Sequence, residues 1–132
     1  MKYQKAKEHI DSFIQPDEMF HGWFIGQYYN LALIFIIGPL AWLTLRFYYF
    51  AVTDKGIHIH RLGLSDQFEY SDFFPYSSIT SLSFKKGFLQ KSVRFSFDTG
   101  RSLRVQAITK GVASVPKLTD EILKILESNI GG

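Results

Sequence analysis

The stretch FAVTDKGIHIHRLG, Phe50 to Gly63, decides the fold. Its second half alternates strictly: Ile57, Ile59 and Arg61 fall on one face of an extended chain, and His58, His60 and Leu62 on the other. Asp54-Lys55-Gly56 between the halves reads as a turn, with positive φ supplied at the glycine. Together with the aromatic run Phe47 to Thr53 before it, this is a hairpin.

Outward from the hairpin the same pattern recurs. Upstream, Met19 to Tyr29 is aromatic, and Gly22 and Gly26 within it favour a strand with bends or a close backbone approach. Before that, Ala6, Ile10, Phe13 and Ile14 fall at helical spacing, so Tyr3 to Ile14 reads as a short helix stopped by Pro16. Downstream, strands are expected at Gln67 to Tyr70, Phe73 to Tyr76, Ile79 to Lys85, Lys91 to Phe97 and Ser102 to Ala107. Val93, Phe95, Phe97, Leu103 and Val105 form one apolar face, opposite Ser92, Arg94, Ser96 and Arg104. Val115, Leu118, Ile122, Ile125 and Leu126 then make a helical stripe, with Ser114 as N-cap, Pro116 in the first turn and Gly131 beyond the end. Six or seven antiparallel strands followed by one amphipathic helix describe a mostly β, α+β fold, a small barrel whose helix plugs one end.

The chain has 132 residues, which suits one domain with a real core. It is divided into an N-terminal helix within 1–16, an apolar insertion at 31–45 and the strands and helix of 46–130. Its 22 aromatics (13 Phe, 7 Tyr and 2 Trp) exclude a disordered chain, and most fall on expected strands, where they build core. With no cysteine there is no disulfide framework, thiol nucleophile or cysteine-held metal. There is no glycine-rich phosphate loop, Gly-x-Ser-x-Gly elbow or HExxH, so enzymatic activity is not expected and no cofactor is implied.

At this level the sequence resembles the bacterial pleckstrin-homology-like domains. The resemblance rests on Phe50 to Gly63, on DFFPYSSITSLSFKKGFLQ (Asp72 to Gln90), on FSFDTGRSLRV (Phe95 to Val105) and on the closing helix. In that family a strand ending in Thr-Asp leads into a basic turn and a second strand. A later aspartate and a Pro-Tyr-x-x-Ile stretch open a strand that ends at a Lys-Gly turn. These are fold signatures, none of them catalytic. The resemblance implies a binding or scaffold module, and relatives beside transmembrane helices or in oligomers make a membrane-proximal role the expectation.

Two features lie outside that frame. Gly22 to Leu45 carries no charge, and Leu31 to Leu45 (LALIFIIGPLAWLTL) is almost wholly apolar, interrupted by Gly38-Pro39 and Thr44. A signal peptide is a poor account of it, because no basic flank directly precedes the run. A span from Tyr28 to Tyr49 would have the length of a bilayer core and tyrosines at both interfaces, but Gly38-Pro39 would kink it at the midpoint. If Met19 to Tyr29 is the first barrel strand, a full span is excluded. Leu33, Ile34, Phe35, Ile36, Ile37, Leu40 and Trp42 are then core, a subunit interface or a shallow membrane insertion.

The second feature is basic. Residues 85–110 hold Lys85, Lys86, Lys91, Arg94, Arg101, Arg104 and Lys110 against Asp98, far more basic locally than the net charge of +3. Such a cluster suits anionic lipid headgroups, while outward charge on strands also serves to blunt sheet edges. Nucleic acid is not favoured, since exposed stacking aromatics are not distinguishable from core ones, and no small-molecule substrate is evident. His58 and His60 share a strand face without a third ligand at suitable spacing, which reads as surface histidines; His9 and His21 belong to another region. Asp54, Asp66, Asp72 and Asp98 read as turn residues. The expectation is a cytoplasmic module, peripheral at the inner face of the cell membrane, contacting anionic lipid or a protein partner. The alternative is a soluble self-associating domain, a homo-oligomer built on 31–45.

Overall fold

The computed structural model describes residues 2–28, 46–62, 68–86, 90–109 and 116–130. The elements are α1 (Lys2–Asp11), β1 (Phe20–Tyr28), β2 (Arg46–Thr53), β3 (Gly56–Leu62), β4 (Phe68–Pro75), a single 3-10 turn (Tyr76–Ser78), β5 (Ile79–Lys86), β6 (Gln90–Phe97), β7 (Ser102–Ile108) and α2 (Asp120–Asn129). The strands form one antiparallel sheet in the order β4-β3-β2-β1-β7-β6-β5.

The inner face of this curled sheet carries the main core. Phe24 stacks on Phe50 at 4.8 Å, and Phe50 on Phe95 at 5.5 Å, tying β1 and β2 to β6 across the interior. Val52, Ile57, Ile59, Val93 and Val105 fill around them. The stripe of α2, Ile122, Leu123 and Leu126, buries itself in the same cluster, as an amphipathic helix must. Its entry is fixed by Thr119, whose hydroxyl accepts the Ile122 N–H at 3.2 Å. Near Gly22 the helix comes so close that a Cβ there would stand 2.9 Å from Ile122 Cδ1. Gly22 pairs with Val52 near the start of β1, so α2 covers that end of the sheet, and among the described residues no helix covers the other.

A second, smaller core lies on the outer face of β1 to β4, where α1 packs. Ala6 and Ile10 of the helix bury against Ile25, Tyr49 and Ala51, with Trp23, Phe47, Leu62 and Phe68 around them.

The structure corrects several expectations. The two strands expected at Gln67–Tyr70 and Phe73–Tyr76 are one, β4, because its ladder to β3 runs from Phe68 to Pro75, with a bulge that absorbs the irregular pattern. The final helix starts at Asp120 rather than around Pro116, so Thr119 is its cap; Ser114 lies outside the described residues. Gly56 does not have positive φ; among the described residues that conformation belongs to Gly100. Gly56 is needed for space, since a Cβ there would meet the Phe74 carbonyl oxygen at 2.3 Å. Among the described residues the sheet is not closed by hydrogen bonds: β4 and β5 are its two edges, and Phe74 of β4 packs against Phe97 of β6 at 4.6 Å.

Candidate functional site

The open end is built by register. Tyr48 of β2, Arg61 of β3 and Tyr70 of β4 are cross-strand partners in one row of the inner face. The next row inward is Phe50, Ile59 and Asp72, and the one beyond it Val52, Ile57 and Phe74. The alternation that buries Ile57 and Ile59 therefore carries an arginine to the mouth of the fold. The opposite wall is the β6–β7 turn. Gly100 N–H donates to the Phe97 carbonyl at 3.0 Å and Phe97 N–H to the Arg101 carbonyl at 2.9 Å, which holds Asp98, Thr99 and Arg101 over the opening. Between the walls lies a cavity of about 640 Å³. Ile59, Phe74, Phe97 and Leu103 form its apolar lining, and Arg61, Arg101, Asp72 and Asp98 its charged groups.

These polar groups are tied to each other. Tyr70 Oη donates to Asp72 Oδ2 at 2.9 Å, and Phe73 N–H donates to Asp72 Oδ1 at 2.8 Å. Asp72 is thus an inward strand residue, not the turn residue its sequence context suggested. Burial, then the hydrogen bond and charge of Asp72, raise the Tyr70 phenol above its ordinary value, with Arg101 acting in the opposite sense. The Arg61 guanidinium lies 5.9 Å from the Tyr70 ring centroid and 3.6 Å from Glu69.

The basic segment identified from sequence is divided by the sheet. Lys85, Arg94 and Arg104 are exposed on the outer face of β5 to β7: Arg94 and Arg104 are direct cross-strand partners, and Lys85 pairs with Ser92, two residues from Arg94. Their neighbours on that face are Ser83, Ser92, Ser96 and Ser102, and Arg94 Nη2 reaches Ser102 Oγ at 3.5 Å. Like charges placed directly opposite repel, and no carboxylate stands between these two on the ladder. Arg101 is separate, exposed at the turn over the cavity. Lys86 and Lys91 pair at the far end of the β5–β6 ladder, out of phase with Lys85 and Arg94; their side chains, Lys110 and the whole of Leu33, Ile34, Phe35, Ile36, Ile37, Leu40 and Trp42 lie outside the described residues. The ends of the apolar segment are placed nonetheless. Tyr28 and Arg46 pair across the β1–β2 ladder, in the rung beyond Gly26 and Tyr48, at the open end. A single span would hold its ends about 30 Å apart, whereas these two ends are a cross-strand pair. No helix among the described residues is long and apolar enough to cross a membrane.

The histidines are not on the surface. His58 and His60 face outward from β3 but are buried beneath α1 and the segment that follows it. His58 Nε2 lies 2.9 Å from Glu18 Oε2, and Thr53 Oγ1 donates to the same oxygen at 2.8 Å. Burial alone would raise the Glu18 carboxyl; hydrogen bonds from Gln15 N–H, His58 and Thr53 outweigh it and hold Glu18 below its ordinary value. His60 Nδ1 is 2.8 Å from Ser71 Oγ, and His9 Nε2 of α1 is 3.2 Å from the same hydroxyl. The sequence separated His9 from the histidine pair; the helix brings it back.

Residues 7–124 match the family described as the bacterial PH domain. This chain belongs to the bacterial PH domain family. Among solved structures, the hSac2 domain from the human phosphoinositide phosphatase Sac2 superposes with a TM-score of 0.58 at 10% identity, covering 96% of this chain and 76% of that one. That likeness shows a PH-like fold. Comparison with curated proteins gives no match. PH-like domains are in general binding modules for lipids or proteins and generally non-catalytic.

Proposed function

We propose that this bacterial PH domain is a non-catalytic docking module for an anionic membrane surface, peripheral at the cytoplasmic face of the cell membrane. Arg94 and Arg104 on the outer face, with Arg101 at the adjoining turn, meet the headgroups, and the apolar segment 31–45 contacts the lipid beneath them. Lys85 extends the cationic face along β5. The observation that carries this reading is a coincidence of position. Gln27 pairs with Gln106, and continuing that register sets Tyr28, the last described residue before the apolar segment, beside Val105 and one step from Arg104. Apolar and cationic contacts at one end of a domain are what a surface with charged headgroups over hydrocarbon rewards, with each basic residue near such a surface contributing on the order of 1 kcal/mol. The structural neighbour comes from a phosphoinositide phosphatase, and phosphoinositides are lipids with anionic headgroups, which supports a lipid-facing role.

Co-sedimentation with vesicles tests this. Binding should require anionic lipid, weaken with salt, and fall about tenfold or more in the double variant Arg94→Ala, Arg104→Ala, two exposed positions whose loss leaves the core intact. Equal binding by the variant would remove the patch from the account. A domain indifferent to every lipid but oligomeric by light scattering would transfer the apolar segment to a subunit interface.

A further inference from the structure

We propose that the cavity at the open end is a binding site for a zwitterionic phosphoethanolamine group, a phosphate joined through two methylenes to a primary ammonium. The charges of its lining are balanced, Arg61 and Arg101 against Asp72 and Asp98, and Arg61 Nη2 also lies 3.6 Å from Glu69 outside the lining. A simple anion would gain the two guanidinium groups and be opposed by the two carboxylates. A ligand carrying both signs satisfies all four. Arg61 and Asp72 stand in successive rows of the inner face, whose backbone positions are about 7 Å apart along a strand.

Each pole has unused capacity. Arg61 Nε is buried without a hydrogen-bond partner among the described residues, a desolvated donor that a phosphate oxygen would satisfy. Guanidinium groups bind phosphate through paired N–H donors. At the other pole Asp72 is fixed by Tyr70 Oη and Phe73 N–H; a carboxylate has about four acceptor sites, which leaves room for an ammonium. The hydrogen-bonding carboxylate favours N–H donors over a methylated ammonium. The apolar lining of Ile59, Phe97 and Leu103 accepts the methylenes and whatever apolar body the group carries.

The inference does not depend on the membrane docking proposed above, since the ligand can be presented without a bilayer. Soluble phosphoethanolamine is titrated into the full chain and followed by amide and side-chain NMR. Saturable shifts at Arg61, Tyr70 and Arg101 are expected at millimolar concentration. Inorganic phosphate and ethanolamine, each alone, should bind at least tenfold more weakly. Arg101→Ala, at an exposed turn, and Asp72→Asn, which keeps its hydrogen-bond acceptor, should each weaken binding at least tenfold while leaving the rest of the spectrum folded. Vesicles of phosphatidylcholine with and without phosphatidylethanolamine identify the source: dependence on phosphatidylethanolamine assigns a lipid headgroup, and binding of the soluble molecule alone assigns a free metabolite. No saturable shift, phosphate binding as tightly as phosphoethanolamine, or unchanged binding in both folded variants would overturn the site.

Discussion

His60 is a titratable side chain with no exposed surface, and burial, followed by the nearby His9 and His58, depresses its pKa to about 4. The groups around it are His9 from α1, His58 on its own strand and Ser71 from β4, with Phe13 and Phe68 as ring neighbours; Glu18 is held on His58. The unfolded chain carries His60 near the ordinary 6.5. As pH falls below that value the unfolded chain takes a proton that the folded chain refuses until about 4, so stability is full above 6.5 and drains away through this window. Burial lowers His9 in the same direction. Between pH 7.5 and 5 urea denaturation should show a loss of about 2 kcal/mol, and His60→Gln should flatten that dependence. A slope unchanged in the variant would assign the titration elsewhere. The histidines show what a strand pattern conceals. Alternation assigned them to the outer face correctly, but their burial comes from a helix about fifty residues upstream, and no local spacing carries that. Arg61 was missed as a site residue: the alternation placed it in register with Ile57 and Ile59, but only the ladders to β2 and β4 show that its end of β3 is the mouth of the cavity.

Among the elements, β1 is the strand on which the architecture turns, because it alone joins β2 to β7. Its Gly26 lets the two halves of the sheet approach: a Cβ there would meet Val105 Cγ2 at 2.6 Å and Phe50 Cε2 at 2.9 Å. Val105 is stiff at χ1 and Phe50 is stacked on both sides, so neither yields easily. Gly26→Ala should therefore destabilise the domain by about 1–3 kcal/mol through overpacking, measurable as a shift in denaturation midpoint at constant slope; a neutral result would mean that the two halves have slack. Most strands were legible because their turns and period-two faces agree. β4 was not, because Ser71 and Asp72 resemble a break. They are polar for separate reasons, Ser71 facing the buried histidines and Asp72 facing the cavity, and the strand runs through both. The start of α2 was misplaced because its apolar stripe extends backward through Leu118, which is buried as the chain arrives but precedes the cap.

For the whole molecule, the net charge of +3 hides an uneven distribution. One end of the curled sheet is covered by α2, and the other gathers Arg61, Arg101 and, on the adjoining outer face, Arg94 and Arg104. The sequence showed the abundance of basic residues between 85 and 110 but not this division, since it depends on which ladder rungs share a face. Docking through the open end predicts an orientation as well as an affinity. Vesicles containing a headgroup-chelated paramagnetic ion, added to the labelled full-length chain, read that orientation directly. Amide signals of Asp98 to Ser102, and of Tyr28 and Arg46 at the ends of the apolar segment, should broaden first, while those of Ile122 to Asn129 in α2 stay sharp. Broadening centred on α2, or uniform across the domain, would contradict docking through the open end.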